Sequence, residues 1–129
     1  MRDIPATMRA SVLLGARAVE IQEGSVPVPA PDEVLIRVTA VGVCGSDVHF
    51  YEDGRLGDWV LEEPLVLGHE AGGTIVAVGQ AVDPGRVGQR VSIEPQRPST
   101  TSSESLRGMY NLDPQMQFYA VPGTDGAFQ

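Results

Sequence analysis

The clearest pattern of hydrophobic and polar positions lies in residues 34–43. Val34, Ile36 and Val38 alternate with residues of more mixed character, so one face of this segment is more apolar than the other. A period of two residues is typical of a β-strand with one buried face. We therefore expect a strand that continues to Val43, where the alternation ends.

Shorter apolar segments bounded by turn residues indicate further strands. We expect these strands at residues 8–14, 19–22, 74–78, 90–93 and 116–121. Gly15 and Ala16 separate the first two segments, which predicts a hairpin. After the long strand, Ser46 or Asp47 can cap a short helix that runs toward Glu52.

Composition supports one domain built mainly from strands. The chain has 129 residues, of which 42% are hydrophobic, a fraction typical of globular proteins. Its 15 glycines and 10 prolines favour short strands and turns over long helices. Many short strands at this spacing predict an all-β barrel or sandwich with one or two short helices.

Charge excludes several classes of partner. The formal net charge is -8, and all basic residues are arginine. Nucleic acids and anionic membranes require a basic face, so neither is an expected partner. The lack of lysine excludes a lysine nucleophile or Schiff base. A single cysteine excludes an intramolecular disulfide and a four-cysteine zinc site.

No segment has the character of a membrane span. No apolar run approaches the ~20 residues needed to cross a bilayer. Residues 10–18 faintly resemble a signal peptide, but the run is short, and Asp3 and Pro5 interrupt the approach to it. We therefore expect a cytoplasmic protein.

Three side chains could hold a metal ion. Cys44, His69 and Glu70 offer a thiolate, an imidazole and a carboxylate, and a catalytic zinc takes three such ligands and keeps a fourth position open. Each residue also has an ordinary interpretation: a buried small apolar group for the cysteine, a hydrogen-bonded residue for the histidine, and a solvated charge for the glutamate. Glycines on both sides of the two segments favour bends and close backbone approach there.

Two longer motifs resemble a known family. Residues 41–49 and residues 68–74, with Gly79 and Val82 at the expected offsets, resemble the zinc motifs of medium-chain, zinc-dependent alcohol dehydrogenases. Residues 51, 54–58, 93–95 and 110–112 resemble the sorbitol and xylitol (polyol) dehydrogenase branch. The resemblance implies a GroES-like, partly open β-barrel, the N-terminal catalytic domain of that family, over residues 8–129.

The resemblance also implies roles for individual residues. Cys44 and His69 would be zinc ligands, Glu70 would be a ligand in the polyol branch, and Asp47 would orient His69. Ser46 would hydrogen-bond the hydroxyl of the substrate and accept its proton. For Ser46 and Asp47 a helix cap is an additional or alternative role.

Three further side chains are assigned by resemblance. His49 would relay the proton toward solvent, or would be an ordinary exposed helix residue. Tyr51 and Phe118 resemble substrate-pocket residues, although a core aromatic is an equally good interpretation of each.

The sequence departs from the family in its cofactor site. No Gly-x-Gly-x-x-Gly fingerprint occurs in these residues, so the NAD(P) that the family implies has no binding site in this chain. We expect the chain to be inactive alone, because the hydride has no acceptor. We also expect the barrel to leave an open edge and exposed apolar surface. The four-cysteine structural zinc lobe of the family is replaced by a Ser/Thr-rich stretch, as in some polyol dehydrogenases.

Three hypotheses for the function follow. The chain is part of a zinc- and NAD(P)-dependent dehydrogenase that oxidises a polyol or secondary alcohol, with threonine or butanediol as the second choice of substrate. Alternatively, it is a stand-alone, non-catalytic zinc-binding or interaction module. In the third hypothesis it forms a homo-oligomer or pairs with a separate Rossmann-domain chain.

Overall fold

The structure, a computed structural model, describes residues 4–129. Short strands dominate this part of the chain, and two short α-helices interrupt them. The elements are β1 (Thr7–Gly15), β2 (Ala18–Ser25), β3 (Val34–Gly42), α1 (Gly45–Asp53), β4 (Arg55–Leu56), β5 (Trp59–Val60), β6 (Leu65–Val66), β7 (Glu70–Val78), β8 (Arg90–Ser92), β9 (Gln96–Arg97), α2 (Ser103–Leu106) and β10 (Gln117–Phe118). Within residues 4–129 no helix is both long and apolar enough to cross a membrane.

The first sheet has the strand order β2-β1-β6 and contains the predicted hairpin. Its turn, however, is formed by Ala16 and Arg17, and Arg17 has a positive φ of 62°, a conformation that costs a non-glycine residue some strain. The N–H of Arg17 donates a hydrogen bond of 2.6 Å to the carbonyl of Tyr51. This bond fixes the hairpin turn to the end of α1.

The second sheet has the order β3-β7-β8, and β7 begins at Glu70, four residues before the predicted start. Glycines at positions 72 and 73 suggested a bend, but both lie inside the strand, where Gly73 pairs with Val38 and Val91. A side chain at Gly73 would collide with the carbonyl of Arg37. The glycine therefore serves close approach of the strands and does not end the strand.

The hydrophobic core lies between the first sheet and α1. Its residues form two adjoining clusters, one of Leu13, Phe50, Leu65 and Leu67, the other of Ala10, Val12 and Val66. Burial of each large side chain contributes about 1.5–3 kcal/mol to folding. Phe128 packs against both clusters, its N–H donates to the carbonyl of Leu67 (3.0 Å), and its carbonyl accepts from Ser11 (2.8 Å). Phe128 therefore links β1, through Ser11, to Leu67 in the segment that precedes His69.

The predicted fold class is confirmed: the chain is mainly β with two short α-helices, and its four sheets stay open. A groove of about 350 Å³ is lined by side chains that include Met8, Val26, Ile36 and Val76. The prediction was wrong for residues 116–121, where only Gln117–Phe118 is a strand, paired with the unpredicted β9. Few apolar residues alternate there, so pairing rather than periodicity defines both strands.

A buried carboxylate organises the polar stretch between β9 and β10. Asp113 is 5% exposed and accepts hydrogen bonds from the N–H groups of Gln115 (2.8 Å) and Ser99 and from the hydroxyl of Ser105 (3.1 Å). Burial raises the pKa of Asp113, but these hydrogen bonds lower it by more, so the pKa lies below its usual value. Sequence reasoning did not identify this residue, because its partners are serines without a helical or strand pattern.

The stretch around Asp113 is expected to loosen in acid. The pKa of Asp113 is lower in the folded state than the ordinary aspartate value of ~3.9. The ionised carboxylate therefore stabilises the folded state at pH values above ~3.9, and this stabilisation is lost as the pH falls through the pKa of the folded state. The amide protection factors of Ser99 and Gln115, measured by NMR, should therefore fall below about pH 4. The variant Asp113→Asn should show low protection already at pH 6. Equal wild-type protection at pH 6 and pH 3 would contradict this role.

Candidate metal centre

The first bend of the candidate site lies between β3 and α1. Cys44 is the N-cap residue of α1 and has an extended backbone, with φ -86° and ψ 158°. The prediction that Ser46 or Asp47 caps this helix is confirmed for Asp47, which forms a capping box with Cys44. Asp47 stands at the third helical position, where its carboxylate accepts a 2.9 Å hydrogen bond from the N–H of Cys44. The carboxylate satisfies a free N–H at the helix start from inside the helix.

The second bend lies between β6 and β7 and carries His69 and Glu70. Gly68 has a φ of 90°, which side chains rarely adopt, and a Cβ atom at this position would lie 2.8 Å from the ring of Phe128. Both the conformation and the space require glycine here. His69 follows directly, and Glu70 is the first residue of β7.

The two bends bring three potential metal ligands together. One donor atom from each of Cys44, His69 and Glu70 lies within 4.8 Å of the other two, and residues 4–129 contain no other cluster of three such donors. Zinc binds sulfur, nitrogen and oxygen donors at ~2.0–2.3 Å in tetrahedral geometry, so two donors of one ion stand about 3.3–3.7 Å apart. The observed limit of 4.8 Å is longer than this, so the side chains must move closer together to reach one ion. The donor set fits a zinc ion with an open coordination position.

Asp47 connects the two bends. Its side chain is 4% exposed, one carboxylate oxygen accepts from Cys44, and the other accepts a 3.1 Å hydrogen bond from the N–H of Gly68. The second oxygen also lies 3.7 Å from Nδ1 of His69, slightly beyond hydrogen-bond distance. One carboxylate therefore fixes the relative position of the cysteine segment and the histidine segment.

The hydroxyl of Ser46 and the imidazole of His49, both on α1, differ in their surroundings. The Oγ atom of Ser46 is buried and has no hydrogen-bond partner within the described residues, which is uncommon for a buried hydroxyl. His49 lies on the solvent side, with its side chain 63% exposed and Nδ1 at 3.6 Å from the carboxylate of Asp53. A bound molecule could therefore supply the hydrogen-bond partner that Ser46 lacks. His49, by contrast, is exposed to solvent.

The two aromatic residues predicted for a substrate pocket lie in different places. Phe118 contacts His69 edge to face, with ring centroids 5.3 Å apart and an interplanar angle of 63°. Tyr51 lines a groove of about 220 Å³ together with Val48, and none of the three potential ligands lines it. The structure therefore brings Phe118 to the candidate metal centre and puts Tyr51 in a neighbouring groove.

Sequence reasoning missed Phe128, which packs against Gly68. It identified Gly42 as a glycine that flanks Cys44, but not its pairing with Glu70 across β3 and β7. Both contacts join segments far apart in the chain, so no local pattern indicates them.

Comparison with known proteins gives consistent matches. The family model described as the alcohol dehydrogenase GroES-like domain matches residues 30–129. Sorbitol dehydrogenase of Bacillus subtilis is 47% identical over 97% of the chain, and D-xylulose reductase of Morganella morganii is 47% identical over 95%. The chain spans 35% and 36% of these relatives. The solved structure of L-idonate 5-dehydrogenase from Escherichia coli superimposes with a TM-score of 0.85 at 27% identity, covering 96% of this chain and 37% of that one.

Proposed function

The chain belongs to the alcohol dehydrogenase GroES-like domain family, and from this premise we propose that it is the metal-binding part of a zinc-dependent dehydrogenase that oxidises a polyol or another secondary alcohol with NAD(P). The observation that carries the proposal is the cluster of Cys44, His69 and Glu70, and the buried, unpartnered Ser46 hydroxyl two residues after Cys44 in the chain supports it. A metal and a hydrogen-bonding group at one place suit the binding and deprotonation of a substrate hydroxyl.

The residues of this chain divide the work of removing a proton. Cys44, His69 and Glu70 would hold the zinc, which when bound supplies a Lewis acid that lowers the pKa of a coordinated hydroxyl. The Ser46 hydroxyl would accept a hydrogen bond from the substrate and take its proton. His49 is exposed and can pass a proton to water. The nicotinamide cofactor would carry the hydride, and its fingerprint does not occur in these 129 residues.

Two neighbouring residues would support this chemistry without touching the reacting atoms. Asp47 holds the cysteine and histidine bends together through its two hydrogen bonds. Phe118 covers one edge of the His69 ring with an apolar surface, which limits access of water to that side. The supporting roles of Asp47 and Phe118 at the metal centre stay predictions. The cytoplasmic location expected from the sequence also stays a prediction.

A polyol is the proposed substrate class. The relatives named sorbitol dehydrogenase and D-xylulose reductase match almost the whole chain, and residues 51–58 carry the resemblance to the polyol branch. Threonine or butanediol is the second choice. There are two other proposals. In one, the chain is a stand-alone zinc-binding module; in the other, it pairs with a separate Rossmann-domain chain. Unlike the dehydrogenase proposal, neither requires a covalently linked cofactor domain.

A chimeric enzyme tests the proposed activity. The matching part of Bacillus subtilis sorbitol dehydrogenase is replaced by this chain, so that the relative supplies the remainder of the enzyme. We expect NAD-dependent oxidation of sorbitol and xylitol with a higher kcat/KM than for threonine or 2,3-butanediol. In the chimera, Ser46→Ala should lower kcat by about 10²–10⁴-fold, the usual contribution of a positioned acid–base group.

The control variant is Ser25→Ala, since Ser25 is an exposed serine at the end of β2 and its loss should leave kcat unchanged. A folded, zinc-loaded chimera that oxidises no polyol would contradict the proposed substrate class. Equal activity of the Ser46 and Ser25 variants would exclude the role of Ser46 in proton transfer.

A further inference from the structure

The side chain of Glu70 lies against Gly42, which has no side chain of its own. Glu70 is the first residue of β7 and pairs with Gly42, the last residue of β3, two positions before Cys44. A Cβ atom at Gly42 would collide with the carboxylate oxygen Oε2 of Glu70 and would lie 3.1 Å from the Cβ and 3.4 Å from the Cδ of that residue. The glutamate side chain therefore folds over the space that any other residue at position 42 would fill.

The backbone does not explain why position 42 is glycine. The φ angle of Gly42 lies outside the left-handed region, so an L-residue could adopt this conformation. Gly42 instead provides space, and the group that uses the space is the carboxylate of a potential metal ligand. Glu70 is exposed, and no side-chain hydrogen bond within the described residues fixes its rotamer, so a methyl group at position 42 would displace its carboxylate easily.

We propose that Gly42 is a positioning residue for the metal centre: the space above its Cα atom lets the Glu70 carboxylate reach the donors of Cys44 and His69. This inference rests on the proposed zinc site. A methyl group at position 42 would push the flexible carboxylate aside and remove the third ligand, while Cys44, His69 and the hydrogen bonds from the N–H groups of Cys44 and Gly68 to Asp47 stay in place.

The variant Gly42→Ala tests the proposal in the 129-residue chain with zinc or cobalt(II) as the probe. We expect its zinc affinity to fall about 10-fold or more, as far as that of Glu70→Gln. The double variant should bind no more weakly than Glu70→Gln alone, because the methyl group acts only through the carboxylate. The thiolate-to-cobalt charge-transfer band should persist in Gly42→Ala, while the ligand-field bands should match those of Glu70→Gln.

Gly45→Ala is the matched control. Gly45 lies directly after Cys44, and a Cβ atom there would meet nothing within 4 Å. Its zinc affinity and cobalt spectrum should equal those of the wild type. Wild-type affinity in Gly42→Ala, or a further loss in the double variant, would overturn the positioning role. Absence of zinc from the wild type would instead overturn the proposed site itself.

Folding of the variants provides a second criterion. If Gly42→Ala does not fold, its combination with Glu70→Ala should, because truncation of the glutamate frees space for the methyl group. Circular dichroism and urea unfolding report the fold of both proteins. If neither protein folds, the space at position 42 is required by the sheet and not by Glu70, and the proposal is wrong.

Discussion

Replacement of Cys44 by alanine is expected to lower zinc affinity by more than about 100-fold. After dialysis against a weak chelator, the variant should retain less than roughly 0.1 zinc ion per chain. Loss of a residue that merely supports a zinc ligand typically costs 10–100-fold in affinity, and Cys44 offers the only thiolate in the chain. The remaining imidazole and exposed carboxylate form a weak pair. The wild type should retain about one zinc.

The control for this substitution is the neighbouring residue Val43. Its side chain is 69% exposed and offers no ligand, so Val43→Ala should retain wild-type zinc content. Elemental analysis and a competition titration measure content and affinity, and circular dichroism checks that both variants stay folded. Unchanged zinc loading in Cys44→Ala would show that the metal lies elsewhere.

Removal of the Asp47 carboxylate is expected to destabilise the metal-free fold by about 2–5 kcal/mol. The substitution Asp47→Ala leaves the N–H groups of Cys44 and Gly68 without their acceptor, and a buried donor without a partner costs about 1–3 kcal/mol. That loss is a large fraction of the 5–15 kcal/mol typical of a small domain. Zinc affinity should fall as well, since the two bends lose their common contact.

Urea unfolding of the metal-free proteins measures this effect, and α1 offers a control. Asp53 lies on the same helix, its side chain is 61% exposed, and its carboxylate lies 3.6 Å from Nδ1 of the exposed His49, so Asp53→Ala should change stability by less than about 0.5 kcal/mol. Asp47→Asn should fall between the two, because an amide keeps one acceptor oxygen. Equal stability of the Asp47 and Asp53 alanine variants would remove the connecting role of Asp47.

Local pattern predicted the elements that have one buried face. The alternation of residues 34–38 predicted β3, and the apolar segments around Gly15 and Ala16 predicted the β1–β2 hairpin. In β3 the apolar Val34, Ile36 and Val38 are half-buried while Arg37 and Thr39 are exposed, and β1 buries Ala10, Val12 and Leu13, so the apolar pattern follows burial in these strands. The pairing of Cys44 with the His69 segment came from motif resemblance, because spacing along the chain does not define distance between two bends.

Long-range contacts produced the features that the sequence did not reveal. Gly72 and Gly73 suggested a bend or close backbone approach without indicating which; both lie within β7, and a Cβ atom would collide with neighbouring backbone at Gly73 and not at Gly72. Asp47 suggested a helix cap, and its second hydrogen bond, to Gly68, depends on how α1 packs against the β6–β7 connection. Such contacts are set by tertiary packing, which a local pattern does not encode.

The extent of the domain remains our proposal of residues 8–129. The family model begins at residue 30, but β1 and β2 precede that point, and Leu13 of β1 is 1% exposed within the main core cluster. Phe128, near the other end, packs on the same cluster. A core that draws on both ends of the chain supports one folding unit that includes the first hairpin.

We propose that the sulfur of Cys44 and the imidazole of His69 bind one zinc ion. X-ray absorption at the zinc edge of the zinc-loaded 129-residue chain identifies the atoms bound to the metal. We predict one sulfur neighbour at ~2.3 Å, with nitrogen and oxygen neighbours at ~2.0–2.2 Å, including the scattering pattern of an imidazole ring. A zinc shell of oxygen and nitrogen alone, without sulfur, would contradict it.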